Sequence, residues 1–290
     1  MTNLMYNSAT DTLMTRDELS YIPTPPPMGP RHAPYSYAEF ANTTVGAIQN
    51  NGFNVDLEEY AVTKDGASQF FGLLHVSSSN GPSTGPAPGA WCPTDNLPAV
   101  VMPPQNWNLL VALRGSNDQT ISRGLAIGSQ VICCSNLCFH GDLGNWHSKQ
   151  TTNLTARIPG MVADAVRGLG DAGSQLTVDF EGFNNTPLAL EQGDSILVDC
   201  YRSKAFSSSQ LGRALSDWQD SSVPEHTAGG RNLWWLFNAA TQALKPTGAN
   251  HNQNDLRQRS TLVYGKMTGA LKSIRDNLLY TPPVIALPQR

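Results

Sequence analysis

Residues 131–142 read VICCSNLCFHGD and place three of the chain's five cysteines beside a histidine. Cys134, Cys138, His140 and His147 carry donor atoms that zinc accepts, spaced Cys-x3-Cys-x-His-x6-His. The pattern has weaknesses. If the strand continues, Cys133 and Cys134 point to opposite faces, so only one can reach a common site. There is no second Cys-x2-Cys pair, and Cys92 and Cys200 stand alone. A cysteine nucleophile would need a base and an orienting group, for which His140 and His147 are the nearest in sequence. The same residues also read as an apolar strand that runs into a polar turn, with cysteine acting as a small buried hydrophobe. The expectation is therefore no metal and no cofactor.

A second candidate is LRGSND, residues 113–118, where Ser116 and Asp118 follow a strand. With Asn136 and His147 they would make a hydrolase or nuclease cluster. Alternatively, they form an Asx-type turn that satisfies its own backbone. Both strand ends are polar, and sequential strands tend to be neighbours, so Arg114, Ser116, Asp118 and Asn136 are expected near one another. Cations interleaved with aromatics raise a different chemistry, the binding of single-stranded nucleic acid. Arg114 and Arg123 flank the GSND turn, Arg202 and Lys204 lie between Tyr201 and Phe206, and Arg257 and Arg259 begin a basic run along the last helix. Patterns for a phosphate-binding loop, a dinucleotide fold, a nucleophile elbow or a zinc protease are absent.

Composition limits what these residues can belong to. The 290 residues are 40% hydrophobic and 14% charged, enough for a substantial core. Twenty prolines and twenty-five glycines demand many turns. No run of eighteen apolar residues occurs, so no membrane span is expected. The start lacks the basic-then-apolar pattern of a secretory signal, which predicts a cytoplasmic protein with free thiols. The net charge of −4 conceals a split. Residues 1–200 hold 8 Lys and Arg against 18 Asp and Glu, whereas residues 201–290 hold 11 against 5. A polyanion is therefore expected to meet the C-terminal part first, unless the two halves simply neutralise each other.

Hydrophobic period supplies the elements. Residues 1–35 read as an extended arm, since YIPTPPPMGPRHAP has six prolines in fourteen positions. Ser36 and Glu39 make a capping-box pattern ahead of a helix through Phe40, Val45 and Ile48. NVDLEEYAV and SQFFGLLHV around KDG read as a hairpin, and PAVVM, WNLLVALR and GSQVICCSN as further strands. Residues 77–96 form a Ser, Gly and Pro loop. TTNLTARIPGMVADAVRGL reads as a helix with Pro159 in its first turn. From 208 onward the pattern is helical, strongest in RNLWWLFNAATQALK. The fold class is α+β, a mostly antiparallel sheet with flanking helices. The division is an arm (1–35), a core domain (36–205), a helical C-terminal segment (206–280) and a tail (281–290).

The order of these motifs resembles the phage/plasmid-like protein family, a domain of unknown function found in phages, plasmids and their bacterial hosts. The resemblance rests on Leu113, Arg114, Ser116 and Asp118, on Cys134 and Asn136, on His147, and on Trp234 or Trp235, Asn238 and Thr241. It departs from the family pattern at Asn117, where a histidine is usual, and in the extra Cys138. What it implies is a DNA-metabolism protein of mobile elements, and a helix followed by long antiparallel strands is similar to phage single-strand annealing proteins. The functional expectation is a homo-oligomer that binds single-stranded nucleic acid through Arg114, Arg123, Arg202, Lys204, Arg257 and Arg259. The alternatives are a hydrolase or nuclease using Ser116, Asp118, Asn136 and His147, and a virion or host-interaction protein that binds a host or phage protein partner.

Overall fold

The computed structural model of the chain describes residues 11–78, 107–131, 136–140, 144–221, 223–227, 229–245 and 253–276. Among the described residues the fold is α+β: one antiparallel sheet of seven strands with helices packed on both faces. A short edge strand, β1 (Asp11–Met14), precedes helix α1 (Tyr37–Asn50), which starts at Ser36, whose hydroxyl accepts the Glu39 N–H at 3.3 Å. The sheet continues with β2 (Phe53–Thr63), β3 (Gln69–Ser78), β4 (Trp107–Ser116) and β5 (Arg123–Val131) as successive antiparallel neighbours. The arm expected over residues 1–35 is thus partly a strand, because Asp11–Met14 pairs with Tyr60–Thr63. PAVVM and the tail lie outside the described residues.

The β2–β3 turn shows how local chemistry sets the register. Gly66 and Ala67 take left-handed φ values of 88° and 59°. The Asp65 carboxylate accepts from the hydroxyls of Thr63 (2.5 Å) and Ser68 (2.8 Å), which holds its pKa below the usual carboxylate range. These bonds fix the turn, and a one-residue slip would move every side chain to the other face.

One edge of β5 is shared by two short strands. Gly128–Val131 pairs with β6 (Asn136–Phe139), and Arg123–Ala126 pairs with β7 (Asn145–Ser148). Ile127 sits at the join, accepting from the His140 N–H and donating to the Gly144 carbonyl. The expected strand GSQVICCSN therefore begins earlier, at Arg123, and Asn136 opens the next strand instead of closing this one.

Among the described residues the named elements that follow are all helices: α2 (Leu154–Arg167), α3 (Leu169–Asn184), α4 (Leu190–Arg202), α5 (Ser208–Gln219), the single turn α6 (Pro224–Thr227), α7 (Leu233–Ala243) and α8 (Gln253–Arg275). Pro159 lies inside α2, not in its first turn. Helices α1 and α2 cover Tyr60, Phe70, Leu74, Val111, Leu113, Leu125 and Ile127 in one cluster. A second cluster is centred on α7, in which ten of the eleven residues are buried, so it is apolar on every side as a central helix must be. There Phe180 packs against Trp107, Phe183, Trp234 and Phe237 with ring centroids 5.2–5.8 Å apart.

The α4–α5 contact is equally close. A Cβ on Gly193 would overlap the fully buried Trp218 indole, whose Nε1 donates to the Leu190 carbonyl at 3.1 Å. Gly193→Ala should cost about 1–3 kcal/mol through overpacking, read as a lower denaturation midpoint by circular dichroism. An unchanged midpoint would mean that Trp218 can move aside freely.

Candidate functional site

The two ends of β4 separate the residues expected to cluster. Ser116 closes the strand, while Asn136 pairs with Val131, which pairs with Trp107 at the opposite end. The expected grouping of Asn136 with Arg114, Ser116 and Asp118 is therefore incorrect. Asn136 is buried and donates to the Asn238 carbonyl at 3.2 Å, bolting β6 to α7. Asn238 and Thr241 make bonds within α7 and are buried as well.

At the other end, Ser116 is fully buried. Its hydroxyl accepts from Ile121 N–H at 2.9 Å and donates to the Ile121 carbonyl at 3.0 Å, closing the β4–β5 hairpin. Asp118 accepts from the Thr120 N–H and hydroxyl, at 3.0 and 2.6 Å. Burial alone would raise its pKa, but these bonds outweigh it and leave the carboxyl below its ordinary value. Both residues thus build the Asx-type turn. Arg114 and His147 come together on the sheet, flanking Gly124 through the pairs Arg114↔Gly124 and Gly124↔His147.

Arg123 corrects another expectation, for it cannot touch a nucleic acid. It is fully buried, with its guanidinium 4.4 Å from the centre of the Tyr37 ring. One nitrogen donates to the Tyr35 carbonyl and, at 2.8 Å, to Asn117 Oδ1, whereas Nε and Nη1 have no hydrogen-bond partner. Burial lowers its pKa to about 10, so it remains charged at neutral pH. Gly115 is required beneath it, since a Cβ there would overlap the Arg123 side chain.

The remaining cations and the metal candidates also have defined places. Arg202 pairs with Asp199 at 3.3 Å on the surface, and Lys204 is exposed. Arg259 is half-buried and donates to Gln210 Oε1 at 2.8 Å, so it docks α8 on the start of α5. The side chain of Arg257 lies outside the described residues, as does Cys134. Cys138 is buried with its thiol toward the Ser260 carbonyl at 3.5 Å, and burial pushes its pKa up. His140 Nε2 lies 2.8 Å from Ser129 Oγ, and its ring packs edge-on to Tyr264 at 4.2 Å. Among the described residues no three His, Cys, Asp or Glu side chains converge as metal ligands would.

Two clefts line successive parts of the segment Trp146–Thr151. The first, of about 570 Å³, lies between the arm at Met28–His32 and the β4–β5 hairpin at Gln119–Ser122, with Lys149, Gln150 and Thr151 as its third wall. The second, of about 380 Å³, lies between Trp146–Ser148 and the α2 residues Ala156, Arg157, Gly160, Met161 and Asp164. The arm is held firmly. His32 Nδ1 accepts the Met28 N–H at 2.9 Å, and its Nε2 lies 3.3 Å from Gln150 Oε1. The Gln150 amide in turn donates to the Ser116 carbonyl.

Charge marks these clefts. Of the eight cations in residues 1–200, Arg31, Lys149 and Arg157 line them. Among the described residues none of the three is in a salt bridge, while Arg16 and Arg167 are neutralised by Glu58 and Asp164. Sequence reasoning missed Arg31, Trp146, Lys149 and Arg157, although WHSKQTTNLTAR does place two cations, a histidine and a tryptophan within twelve residues of an acidic region.

Two outcomes follow from the buried groups. Arg123→Ala should destabilise by about 3 kcal/mol, since it loses two hydrogen bonds and opens a cavity. Gly115→Ala should cost less in that background than in the wild type, a coupling that a double-mutant cycle of urea unfolding would read. Burial lowers the His140 pKa from 6.5 to about 3. The unfolded chain therefore takes up a proton near pH 6.5 that the folded chain refuses, and stability is lost as pH falls from there toward 3. His140→Gln should flatten that part of the stability–pH curve; an identical acid limb in both proteins would refute the assignment.

No family model matches this chain, and no curated protein or solved structure does either.

Proposed function

We propose that the chain binds single-stranded nucleic acid along the Trp146–Thr151 edge. The observation that carries this reading is that Arg31 and Lys149 line one cleft and Arg157, with Trp146 and His147, another, the two taking up successive parts of the segment Trp146–Thr151 within residues 1–200, whose charge is otherwise strongly negative. Isolated cations in an acidic surround attract a polyanion to one track and repel it elsewhere. A strand with exposed bases also needs aromatic or apolar walls, which Trp146, Met28, Ile121 and Met161 supply. The interface differs from the one expected at Arg202, Lys204 and the last helix, where Arg202 and Arg259 already have protein partners.

In the phage-type setting that the sequence resemblance implies, such a protein would hold strands for annealing or recombination, as a homo-oligomer in the host cytoplasm. The hydrolase or nuclease reading has less support, because Ser116 and Asp118 hold their own turn and Asn136 lies at the far end of the sheet. The protein-partner reading draws on the acidic composition of residues 1–200, and the test below separates it.

Affinity for a labelled single-stranded oligonucleotide should fall steeply with salt, with a slope of about −0.7 per phosphate contact. Replacing Arg31, Lys149 and Arg157 together by alanine should reduce that slope by roughly 2. Arg202→Ala should leave it nearly unchanged. Absence of binding at low salt would refute the proposal and favour a protein partner. Strand cleavage that needs Asp118 would favour the nuclease.

A further inference from the structure

Resting on the strand-binding reading above, we infer that the cavity between the arm and the β4–β5 hairpin receives one nucleotide unit, its base inside and its phosphate on Arg31 and Lys149. The lining has the required division of chemistry. Met28, Pro30 and Ile121 offer apolar surface, Gln119, Ser122 and Thr151 offer neutral hydrogen-bonding groups, and Arg31 and Lys149 bring the charge. None of the eleven lining residues is acidic, although residues 1–200 carry 18 carboxylates. A volume of about 570 Å³ falls in the range of small-molecule sites and exceeds what a bare phosphate needs.

The walls are built before any ligand arrives. His32 and Gln150, both more than nine-tenths buried, tie the arm to the hairpin, and the isolated bridge His32↔Thr151 and the Ala33 N–H to Gln150 carbonyl bond (3.3 Å) add backbone links. Arg123 fixes the next stretch of arm through the Tyr35 carbonyl. A preformed site loses less ordering entropy on binding than one assembled around its ligand.

Gln119 points to what would be recognised. Its backbone has a φ of 65°, a left-handed conformation that is uncommon for a residue with a side chain. Its amide nitrogen donates to the Met28 sulfur at 3.4 Å across the cavity. A thioether is a weak acceptor. A base carbonyl or ring nitrogen is a much better one, so the contact can be exchanged for a base edge at little cost.

The test compares an intact oligonucleotide with an abasic strand of the same length and charge, against wild type, Met28→Ala and Gln119→Ala. Met28 and Gln119 are exposed, so neither change threatens the fold. The wild type should bind the intact strand about tenfold more tightly than the abasic one. Both variants should shrink that ratio several-fold. A full ratio in both variants would locate base recognition elsewhere, such as Trp146, and overturn the inference. Equal, salt-sensitive binding of both strands by the wild type would also overturn it while leaving strand binding intact. If neither strand binds at low salt, the strand-binding reading itself falls and the nucleotide site falls with it.

Discussion

A single guanidinium in the interior ties together the parts of this molecule that surround its clefts. Among the described residues no carboxylate pairs with Arg123; it is held by a carbonyl from the arm, an amide from the hairpin and the face of a tyrosine from α1. Burying a charge on such terms is costly unless several elements converge on it. Each partner comes from a different segment, so the charge is accommodated only when arm, hairpin and α1 are all in place. Tyr37 shares the constraint: its hydroxyl donates to the carbonyls of Ala67 and Ser68 at 2.9 and 2.8 Å, and burial pushes its pKa up to about 12. The β2–β3 and β4–β5 turns are thereby linked through one aromatic–cation pair.

Much of the scaffold was legible in the sequence because it depends on local rules. The Ser36 cap, the hairpin about Asp65 and the helical period of Leu233–Ala243 each follow from near neighbours in the chain, although that period reads as one apolar face and the helix is buried on every side. Helices α3 and α4 were not read, since glycines at 170, 173, 182 and 193 blur their period while providing close contacts such as that of Gly193 with Trp218. The site was far less legible. Arginine normally reads as a surface residue, and only tertiary packing reveals that Arg123 is internal. Asn136 follows the far end of β5, and successive antiparallel strands end at opposite ends of a sheet, so it cannot meet the residues that close β4. The arm is legible only as extended chain. That it forms a wall of a cavity rests on His32 meeting Gln150, 118 residues away, which no local pattern encodes.

The β6 part of the same sheet edge has its own protection. Strand β6 leaves backbone groups facing outward, and α8 supplies the partners: Ser260 Oγ accepts the Phe139 N–H at 3.0 Å, and the Thr261 hydroxyl donates to the Phe139 carbonyl at 3.0 Å. Tyr264, one turn further on, donates to Asp179 of α3 and packs on His140. Two hydroxyls on a helix thus do for this edge what another strand would do, without offering a template to which a second sheet could add.

That arrangement has a consequence for how the protein is made. The residues that seal Phe139 lie about 120 positions later, in the last helix described. A ribosome adding about 5–20 residues per second needs roughly ten seconds to produce them. Until they are made, the Phe139 N–H and carbonyl lack these partners, and any sheet already formed is open along that strand. The order of synthesis therefore leaves the closing of this edge to the last helix described.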